Sequence, residues 1–420
     1  MTDTRTRTLQ IVDCQPRRLD DYLPIVPEVV REIRELAEPL QGSRIAHVNA
    51  TALGGGVAEM LRYMVPLQRD VGFDANWYVI PPDDPFFEVT KSIHNYMQGK
   101  DGALTDEHQK TYLEHNKLIA DLLAGIAADI LIIHDPQPAA ALAMMNGHPA
   151  RLSIWRSHID TSQPNQSVWG FLRPYLDVYD QVVFTLPDYT NQDFPKDKVN
   201  FITPFIDNLS PKNVRMDRNA ARQYVTRFGI DVQKPLITQI SRFDPWKDPK
   251  GVIDAFRLVK QDVPDLQLAL VAQMASDDPE GVRVQKDVED YAGGEAGIFL
   301  LVNLPDNDTA VNAFQTASDV VLQKSIREGF GLTVTEAMWK GAVVIGGNVG
   351  GIRLQIQDGK NGFLVDSPEE AAERIAQVLS DPDLRERLSQ AAHEKVKSNF
   401  LMPHQLRDYL RLFRKGPWLA

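Results

Sequence analysis

The chain has 420 residues, 43% of them hydrophobic and 24% charged, and its 57 acidic and 45 basic residues give a formal net charge of −12. This composition is ordinary for a globular protein and excludes long disorder, collagen-like repeats and a small disulfide scaffold. The acidic balance argues against a nucleic-acid partner, because there is no excess of cations to displace counterions. The single cysteine, Cys14, excludes an internal disulfide and a cysteine-based metal cluster.

The sequence shows no candidate membrane span or leader. Its most apolar runs, such as Ile130–Ile133, are only a few residues long, whereas a span needs about 18 residues or more. The first ten residues lack the apolar segment of a secretory signal peptide. We therefore expect a cytoplasmic protein without a membrane partner.

Short apolar runs alternate with longer helical patterns along the chain. The first series of predicted strands is Arg44–Asn49, Asn76–Ile80, Asp129–His134, Arg151–Trp155 and Gln181–Thr185, and the second is Leu236–Ser241, Leu266–Ala272, Ile298–Val302, Asp319–Leu322, Ala342–Ile345 and Phe363–Val365. Helical patterns between them include Val57–Val71, Asp106–Ala127, Gly251–Asp262 and Glu369–Leu379. Short, nearly all-apolar strands that alternate with helices indicate parallel sheets covered on both faces. We predict an α/β protein with two doubly wound, Rossmann-like domains.

The segment Pro204–Lys212, with two prolines and several turn formers, is the predicted join between the two series. Proteins of this class usually bind ligands at the carboxyl ends of their strands, between the domains. The residues that directly follow each predicted strand are therefore the candidates for function.

Two cations follow the first strand of the second series. Arg242 and Lys247 lie five positions apart on the loop after Leu236–Ser241. An arginine can hold two oxygens and a lysine adds a point charge, so the pair suits a diphosphate. A solvated loop with unrelated surface cations is the alternative.

A glycine-rich loop with two glutamates follows Asp319–Leu322. Glu328 precedes a Gly-Phe-Gly turn, and a helix is predicted to begin near Thr333, which places Glu336 in its first turn. Glycines let the backbone approach a ligand, and the helix N-terminus attracts an anion. Compensation of the helix dipole is the alternative explanation for Glu336. It leaves Glu328 unexplained, and a carboxylate there suits sugar hydroxyls.

Two glycine pairs and an acidic pair in the second half allow structural explanations. Gly350-Gly351 shapes a site or makes a plain turn, whereas Asp358–Gly362 is expected to be a turn only. Asp306 and Asp308 resemble a metal-binding pair, but a helix N-cap is the preferred interpretation. We find no metal-ligand spacing in the sequence.

The first series offers a glycine turn and polar strand ends. Gly54–Gly56 lie between Arg44–Asn49 and a helix, where the backbone can approach a phosphate or a sugar, although the spacing matches no dinucleotide or Walker motif. His158 follows Arg151–Trp155, and Asp129–His134 runs into Asp135-Pro136-Gln137. A purely structural histidine is the alternative for His158.

These motifs together resemble the retaining glycosyltransferases of GT-B fold that are called group 1, or family 4. They are Arg242-x4-Lys247, Glu328-Gly-Phe-Gly-Leu-x3-Glu336-Ala, Gly350-Gly351 and Asp358-Gly-x-x-Gly362, within Leu236–Leu384. The chain departs from the common pattern at Lys324-Ser325, where Pro-Ser is frequent, and at Gly341-Ala-Val-Val, where Gly-x-Pro-Val is frequent. Neither departure removes a charged group.

The first half resembles a narrower branch, the nucleotide-sugar-dependent trehalose synthases and the related retaining trehalose phosphorylases. The resemblance rests on Val48-Asn-Ala-Thr with Gly54-Gly-Gly-Val-Ala-Glu, His134-Asp-Pro-Gln-Pro and Trp155-Arg-Ser-His-Ile. It implies a GT-B fold with two domains facing each other across a cleft, an acceptor-side domain over residues 1–207 and a nucleotide-sugar domain over residues 208–399. In the family the last helix, here 400–420, packs back on the first domain.

The resemblance also implies the roles of the site residues. Arg242 and Lys247 would bind the donor diphosphate, Glu328 the donor-sugar hydroxyls and Glu336 the ribose. His158 would lie near the reacting face of the sugar. Further binding residues would be Gly54, Gly55 and Gly56, with Gly329, Phe330, Gly331 and Leu332 along the donor and Asp135, Gln137 and Asp160 around a hydroxyl-rich acceptor.

The function that the resemblance implies is transfer of glucose from a nucleoside-diphosphate glucose to glucose, giving α,α-trehalose with retention of configuration. The nucleotide sugar is a substrate, and neither a cofactor nor a metal is expected, because the two cations and the helix N-terminus can stabilise the leaving diphosphate. A homodimer and the identity of the base stay open. A trehalose phosphorylase is the alternative, and a GT-B-like sugar-nucleotide epimerase is disfavoured by the spacing of Glu328 and Glu336.

Overall fold

The computed structural model describes residues 8–53, 55–147, 150–190, 193–273 and 279–416. The chain divides into two units, and each is treated by itself below. The first unit comprises the chain up to Pro204 together with the segment from Met402 onward, and the second unit is Phe205–Leu401. Among the described residues, no helix is long and apolar enough to cross a membrane.

The first unit is built on a seven-stranded sheet with the order β1-β3-β2-β4-β5-β6-β7. All neighbours pair in parallel except β1, which is antiparallel to β3. Every residue of β4 and β5 is buried, as expected for central strands that are covered on both faces. The strands are β1 (Gln10–Ile11), β2 (Arg44–Asn49), β3 (Asp74–Val79), β4 (Ile130–His134), β5 (Leu152–Arg156), β6 (Gln181–Phe184) and β7 (Val199–Phe201).

Within the described residues of this unit, five α-helices connect these strands. They are α1 (Pro27–Ala37), α2 (Gly56–Asp70), α3 (Asp84–Met97), α4 (Asp106–Leu123) and α5 (Gln166–Leu176). The side chains of Asp83, Thr105 and Asn165 cap α3, α4 and α5 by accepting backbone N–H groups of the first turn. Helix α2 begins after Gly55 and buries Met60, Leu61 and Met64.

The second unit is built on a six-stranded, fully parallel sheet with the order β10-β9-β8-β11-β12-β13. Numbered from its own first strand, this is the 3-2-1-4-5-6 order of the Rossmann fold. Its strands are β8 (Leu236–Ile240), β9 (Gln267–Ala272), β10 (Ile298–Val302), β11 (Val320–Gln323), β12 (Val343–Gly347) and β13 (Phe363–Val365).

In the part of the second unit that the structure describes, eight α-helices surround the sheet. They are α6 (Arg218–Val225), α7 (Pro249–Lys260), α8 (Pro279–Ala292), α9 (Asn307–Ala317), α10 (Leu332–Trp339), α11 (Ile352–Gln355), α12 (Pro368–Ser380) and α13 (Pro382–Asn399). One apolar cluster joins α7 and α12 to one face of the sheet, through side chains such as Phe256 and Ile375. A second cluster joins α6 and α9 to the other face and includes Phe314.

The last helix, α14 (Met402–Phe413), returns to the first unit and packs against α1 and α2. Its apolar face buries Tyr409, Leu410 and Phe413, while Arg411 pairs with Glu32 of α1. The amphipathic pattern of the sequence therefore fits a helix that covers part of the first unit.

The two parallel α/β sheets predicted from the sequence are confirmed, and most strand ends differ from the predicted ends by one or two residues. The prediction missed β1 and β7, the two outermost strands of the first sheet. In each sheet the strand order reverses once, between β2 and β4 in the first unit and between β8 and β11 in the second. The carboxyl ends of strands that flank such a switch point are where ligands bind in doubly wound sheets.

Candidate active site

Lys247 and Glu328 meet at the switch point of the second unit. Lys247 follows β8 and Glu328 follows β11, and Lys247 Nζ lies 2.6 Å from Glu328 Oε2. Arg242, the other predicted cation, lies on the loop after β8 with an exposed side chain. Two strand-end loops thus place a lysine beside a carboxylate at the predicted position.

Glu328 is held by neutral donors as well as by the lysine. Its Oε2 accepts hydrogen bonds from Ser325 Oγ at 3.1 Å and from Gln323 Nε2 at 3.4 Å. Thr333 Oγ1 donates to Gln323 Oε1 at 3.0 Å, which orients that amide. Because a charged acceptor that receives several hydrogen bonds is strongly oriented, these contacts fix the orientation of the Glu328 carboxylate.

Gln239 joins the two loops from inside β8. Its buried side chain donates to the carbonyl of Lys247 at 3.0 Å and accepts the N–H of Lys324 at 3.3 Å. Lys324 is itself buried and pairs with Asp248, which caps α7 from a left-handed backbone conformation. The departure from the family pattern at Lys324 therefore introduces a second lysine–carboxylate pair beside the first.

The Gly-Phe-Gly loop after Glu328 is held by Gln355 and by a close backbone contact at Gly351. Gln355, fully buried at the end of α11, donates from Nε2 to the carbonyl of Phe330 at 2.6 Å, and Gly331 enters α10 with a φ of 83°. A Cβ on Gly351 would lie 2.6 Å from the carbonyl oxygen of Gly329 and would overlap the backbone of Phe330. Gly351 is therefore required for the close approach of two backbones and is more than a plain turn. Leu332 begins α10, directly after this loop.

Glu336 is buried in α10 with a cation beside it. Its Oε1 lies 3.2 Å from Lys212 Nζ, and its Oε2 accepts a hydrogen bond from Gln315 Nε2 at 3.4 Å. Lys340 Nζ donates to the other end of Gln315, at 2.6 Å from Oε1. The carboxylate is thus compensated by protein groups, and its ribose role stays a prediction.

Asp306 and Asp308 do not form the expected side-chain cap. Asp306 occupies the N-cap position of α9 with a φ of 49°, but its side chain makes no capping hydrogen bond. Across the part of the chain that the structure describes, no group of three His, Cys, Asp or Glu side chains is arranged to hold a metal ion.

In the first unit, the glycine turn leads into α2. Gly54 lies outside the described residues. Gly55 is the N-cap residue of α2 with a φ of 80°, a conformation that favours glycine, and Gly56 is the first helical residue. A Cβ on Gly55 would meet no atom within 4 Å, so the space beside this turn is open.

Asp135 positions the backbone of His158 at the first unit's strand ends. Asp135 follows β4 with a φ of 62°, a strained conformation for a residue other than glycine. Its Oδ1 accepts the N–H of His158 at 2.8 Å, and its carbonyl accepts a hydrogen bond from Trp155 Nε1 at 3.0 Å. Burial raises the pKa of the Asp135 carboxyl to about 7, against the opposing effects of the His158 N–H and of Arg156. This carboxyl thus changes protonation near neutral pH.

Arg156 is a fully buried cation beside these groups. One guanidinium nitrogen donates to the carbonyl of Ile202 at 2.5 Å, while Nε and Nη1 have no hydrogen-bond partner among the described residues. Burial lowers the pKa of Arg156, and the nearby Tyr409 and Asp135 oppose that shift.

Three histidines form a row across the switch point of this sheet. His47 Nδ1 lies 3.1 Å from His134 Nε2, and His134 Nδ1 lies 3.0 Å from His158 Nε2. Gln68 of α2 ends the row, with Oε1 at 3.0 Å from His47 Nε2. Burial lowers the pKa of His47 to about 4 and places the pKa values of His134 and His158 well below the usual range, so the row is neutral at pH 7.

The other predicted acceptor residues lie close in sequence to this row. Gln137, two residues after Asp135, has a side-chain Oε1 without a partner among the described residues, while its carbonyl accepts from Asn116 Nδ2 at 3.1 Å. Asp160 accepts the N–H of Ser162 at 2.9 Å, which shapes the loop after β5.

Comparisons with known proteins show the family to which the chain belongs. Residues 47–191 match the model of the trehalose synthase N-terminal domain, and residues 222–395 match that of glycosyl transferases group 1. A trehalose synthase of Rubrobacter xylanophilus is 47% identical over 97% of this chain and 99% of its own length. This chain belongs to the trehalose synthase family. A trehalose phosphorylase of Pleurotus pulmonarius is 27% identical over 86% of this chain and 56% of its own.

The solved structures show the same fold. An α,α-trehalose-phosphate synthase (UDP-forming) from Burkholderia xenovorans aligns with a TM-score of 0.70 at 14% identity, over 89% of this chain and 100% of its own. The protein is thus a glycosyltransferase of GT-B fold, as predicted. The 27% identity of the phosphorylase leaves that alternative with less support than the synthase.

Sequence reasoning found the loops of this glycosyltransferase but missed the residues that hold them. Gln239, Gln323 and Gln355 are buried amides within or beside regular elements, and nothing in their spacing sets them apart. A buried amide inside an apolar strand is nevertheless a signal, because such a group needs partners. By that criterion Gln239 in β8 stands out.

Proposed function

We propose that this protein transfers glucose from a nucleoside-diphosphate glucose to free glucose, giving α,α-trehalose with the α configuration of the donor retained, and that the reaction is reversible. The observation that supports this proposal most directly is the 2.6 Å contact of Lys247 with Glu328, because it places a cation for the donor's phosphates beside a carboxylate for the donor's sugar. The 47% identity to a trehalose synthase over nearly the full length of both chains supports the product.

The donor would bind at the strand ends of the second unit. Arg242 and Lys247 would neutralise the diphosphate, and the backbone of Gly329, Phe330, Gly331 and Leu332 would line it at the start of α10. Glu328 would accept hydrogen bonds from the hydroxyls of the transferred sugar. Glu336 would hold the ribose, with Lys212 orienting its carboxylate.

The acceptor would bind at the strand ends of the first unit. Asp135, Gln137, His158 and Asp160 offer polar groups for a glucose molecule, and the open space beside Gly55 leaves room for a sugar or a phosphate. A site that hydrogen-bonds many hydroxyls discriminates sharply, because a wrong acceptor leaves buried polar groups without partners. This composition suits a free sugar better than a lipid or an aromatic acceptor.

The transfer itself breaks one bond and forms one. The bond from the anomeric carbon to the diphosphate oxygen breaks, and the bond to the acceptor oxygen forms on the same face of the sugar. The proton of the acceptor hydroxyl passes to the departing phosphate oxygen. Lys247 and Arg242 stabilise the charge that develops on that diphosphate, which is the type of preorganised electrostatic effect that contributes most in many enzymes. No metal is assigned to this step.

A panel of donors and acceptors tests the proposal. The purified protein is incubated with ADP-, UDP- and GDP-glucose and with several sugar acceptors, and the products are identified by NMR. We expect α,α-trehalose from glucose, and nucleotide sugar from trehalose plus nucleoside diphosphate. Another acceptor, or a β linkage at the transferred unit, contradicts the proposal. Glucose 1-phosphate formed from trehalose and phosphate, with no response to nucleotides, indicates a phosphorylase instead.

A further inference from the structure

The three histidines of the first unit lie edge to edge. The ring centroids of His47 and His134 are 5.4 Å apart at an interplanar angle of 26°, and those of His134 and His158 are 5.3 Å apart at 17°. The facing nitrogens are nevertheless only 3.1 and 3.0 Å apart. Rings that are nearly coplanar with nitrogens this close share N–H···N hydrogen bonds and do not stack face to face.

The direction of these hydrogen bonds is the same along the whole row. A neutral imidazole has one N–H and one bare nitrogen, so each ring that accepts at one nitrogen must donate from the other. Gln68 Oε1 faces His47 Nε2 at 3.0 Å, while Gln68 Nε2 is buried and makes no hydrogen bond to the described residues. An oxygen in this place accepts, and it takes the proton that His47 carries on Nε2. His47 Nδ1 then accepts from His134 Nε2, and His134 Nδ1 accepts from His158 Nε2. The direction set at Gln68 therefore decides which nitrogen of His158 carries the proton.

The surroundings keep the row neutral. Met60, Leu61 and Met64 of α2 and Gln405 and Tyr409 of α14 line a small cavity against the histidine rings. The charged or titratable neighbours are Arg156, Asp135 and Tyr409, and burial together with the Arg156 charge lowers the pKa values of His134 and His158. A charge on any histidine of the row would have to form beside the buried guanidinium of Arg156.

The row ends in a nitrogen without a protein partner. His158 Nδ1 is buried and makes no hydrogen bond to any of the described residues. A buried polar atom left unpaired is unfavourable, so it favours a partner that arrives from outside. With the proton of His158 on Nε2, this nitrogen offers a lone pair to a donor.

We propose that Gln68, His47 and His134 are positioning residues that hold His158 as the Nε2–H tautomer, so that its Nδ1 accepts a hydrogen bond from a hydroxyl of the sugar substrate. That a sugar hydroxyl donates this hydrogen bond rests on the proposed function. The tautomer of His158 in the free protein does not depend on that function, and the two are measured separately.

The tautomers are read directly by NMR. The protein is labelled with ¹⁵N-histidine, and the two-bond correlations of each ring distinguish a protonated from a bare nitrogen. Signals are assigned by their loss in His47→Phe, His134→Phe and His158→Phe. At pH 7.5 we expect all three rings neutral, with the proton on Nε2. A proton on Nδ1 of His158, or a charged ring in the row, overturns the proposal whatever the enzyme's substrate proves to be.

Variants of Gln68 test the direction of the row from its far end. Gln68→Met has no acceptor, so the His158 tautomer should become mixed and kcat should fall about three- to tenfold, the range that loss of one hydrogen bond commonly produces. Gln68→Glu, in its ionised form, can only accept from His47 Nε2 and should restore both the tautomer and kcat. The KM for the nucleotide sugar should stay unchanged in both variants.

The matched control is His115→Phe. His115 is another buried histidine of the first unit, stacked on Phe86 at 4.1 Å and outside the row, and its loss should leave the tautomers and kcat unchanged. If Gln68→Met behaves like the wild type, or if Gln68→Glu is as impaired as Gln68→Met, the positioning role is wrong. If no sugar transfer is found at all, the proposed function fails, while the NMR result still decides the tautomer.

Discussion

The two units use the same architectural position for different chemistry. In the second unit, the strand ends beside the switch point carry paired charges, Lys247 with Glu328 and Lys324 with Asp248. In the first unit, the corresponding position carries a row of neutral histidines and an aspartate whose pKa is raised to about 7. A site with compensated charges suits a diphosphate, whereas a neutral site with directed donors and acceptors suits sugar hydroxyls.

The difference follows from what each loop buries. In the second unit, the half-buried Lys247 and the buried Lys324 each have a carboxylate partner, and buried amides such as Gln239 hold the loops around the pairs. In the first unit, the buried guanidinium of Arg156 makes no hydrogen bond to a carboxylate among the described residues, and burial is the largest cause of the pKa shifts of its neighbours His134 and His158. Variants that remove a charged group from the second unit, or that change a titratable group of the first unit, test whether this difference matters.

Removal of Lys247 should have the largest effect. Lys247→Ala takes away a cation that would stabilise the leaving diphosphate and leaves Glu328 without its 2.6 Å partner. Loss of one preorganised electrostatic group commonly lowers kcat by about 10²-fold or more, and we expect that range in steady-state assays. Lys250→Ala is the control, since Lys250 is an exposed cation three residues away in α7. Turnover near the wild-type value in Lys247→Ala would rule out the diphosphate assignment.

The two glutamates should separate binding from turnover. Glu336→Ala should lower the affinity for free nucleoside diphosphate about tenfold, because it removes a carboxylate for the ribose, one to two hydrogen bonds to a charged group. Glu328→Gln should mainly lower kcat, since the transferred sugar is absent from that ligand. Calorimetric titration of both variants measures the first effect and initial rates measure the second.

Glu336→Ala also leaves Lys212 buried without its partner, so the free energy of unfolding has to be compared in the same experiment. Lys212→Met is the matched control, because it breaks the same pair from the other side and keeps the carboxylate. If Glu336→Ala binds the nucleotide as tightly as the wild type, Glu336 serves α10 and its lysine rather than a ribose.

Asp135 should make stability depend on pH. Its folded-state pKa of about 7 lies above the ordinary value of 3.8, so the folded protein binds more protons than the unfolded chain between these values. Its stabilising contribution is complete below about pH 4 and is lost as the pH rises to 7. Asp135→Asn keeps an acceptor for the His158 N–H and removes the titration, so the stability of the variant relative to the wild type should rise between about pH 4 and 7. Urea unfolding at several pH values measures the difference.

His47 supplies the control of opposite sign. Its pKa is lowered from 6.5 to about 4, so its contribution is complete above pH 6.5 and is lost as the pH falls towards 4. In His47→Asn the difference from the wild type should therefore shrink as the pH is lowered through this window. A difference between Asp135→Asn and the wild type that does not change with pH would show that the carboxyl of Asp135 titrates normally.

The sequence predicts a strand where its residues form an apolar run. Central strands such as β4 and β8 are continuous apolar runs, so both sheets could be predicted. Strand β1 has two exposed residues and β7 has three that are exposed or half-buried, so neither makes an apolar run, and only pairing with a neighbouring strand defines them. Local pattern predicts what burial dictates and misses strands that tertiary contacts create.

The candidate site divides in the same way. Lys247, Glu328 and His158 directly follow predicted strands, and the topology then brings the first two together. The row of His47, His134 and His158 was not predicted, because His47 lies on β2, His134 on β4 and His158 on the loop after β5, and only the fold brings the three rings together. Gln68 lies on a helix between them in sequence, and only the fold turns its side chain towards β2.

Metal removal should have the smallest effect. It tests whether the charged groups of the second unit act without a divalent cation. If Arg242 and Lys247 supply the positive charge that stabilises the departing diphosphate, a divalent cation has no remaining task there. Activity should therefore survive exhaustive EDTA treatment and dialysis, with kcat unchanged and no stimulation by added Mg²⁺ or Mn²⁺. The Lys247→Ala variant makes the test stricter, because partial rescue of that variant alone by Mg²⁺ would show that a metal can replace the lysine. Complete loss of wild-type activity with rescue by Mg²⁺ or Mn²⁺ would instead make Asp306 and Asp308 candidates for ligands, and the charges of the second unit would then be structural.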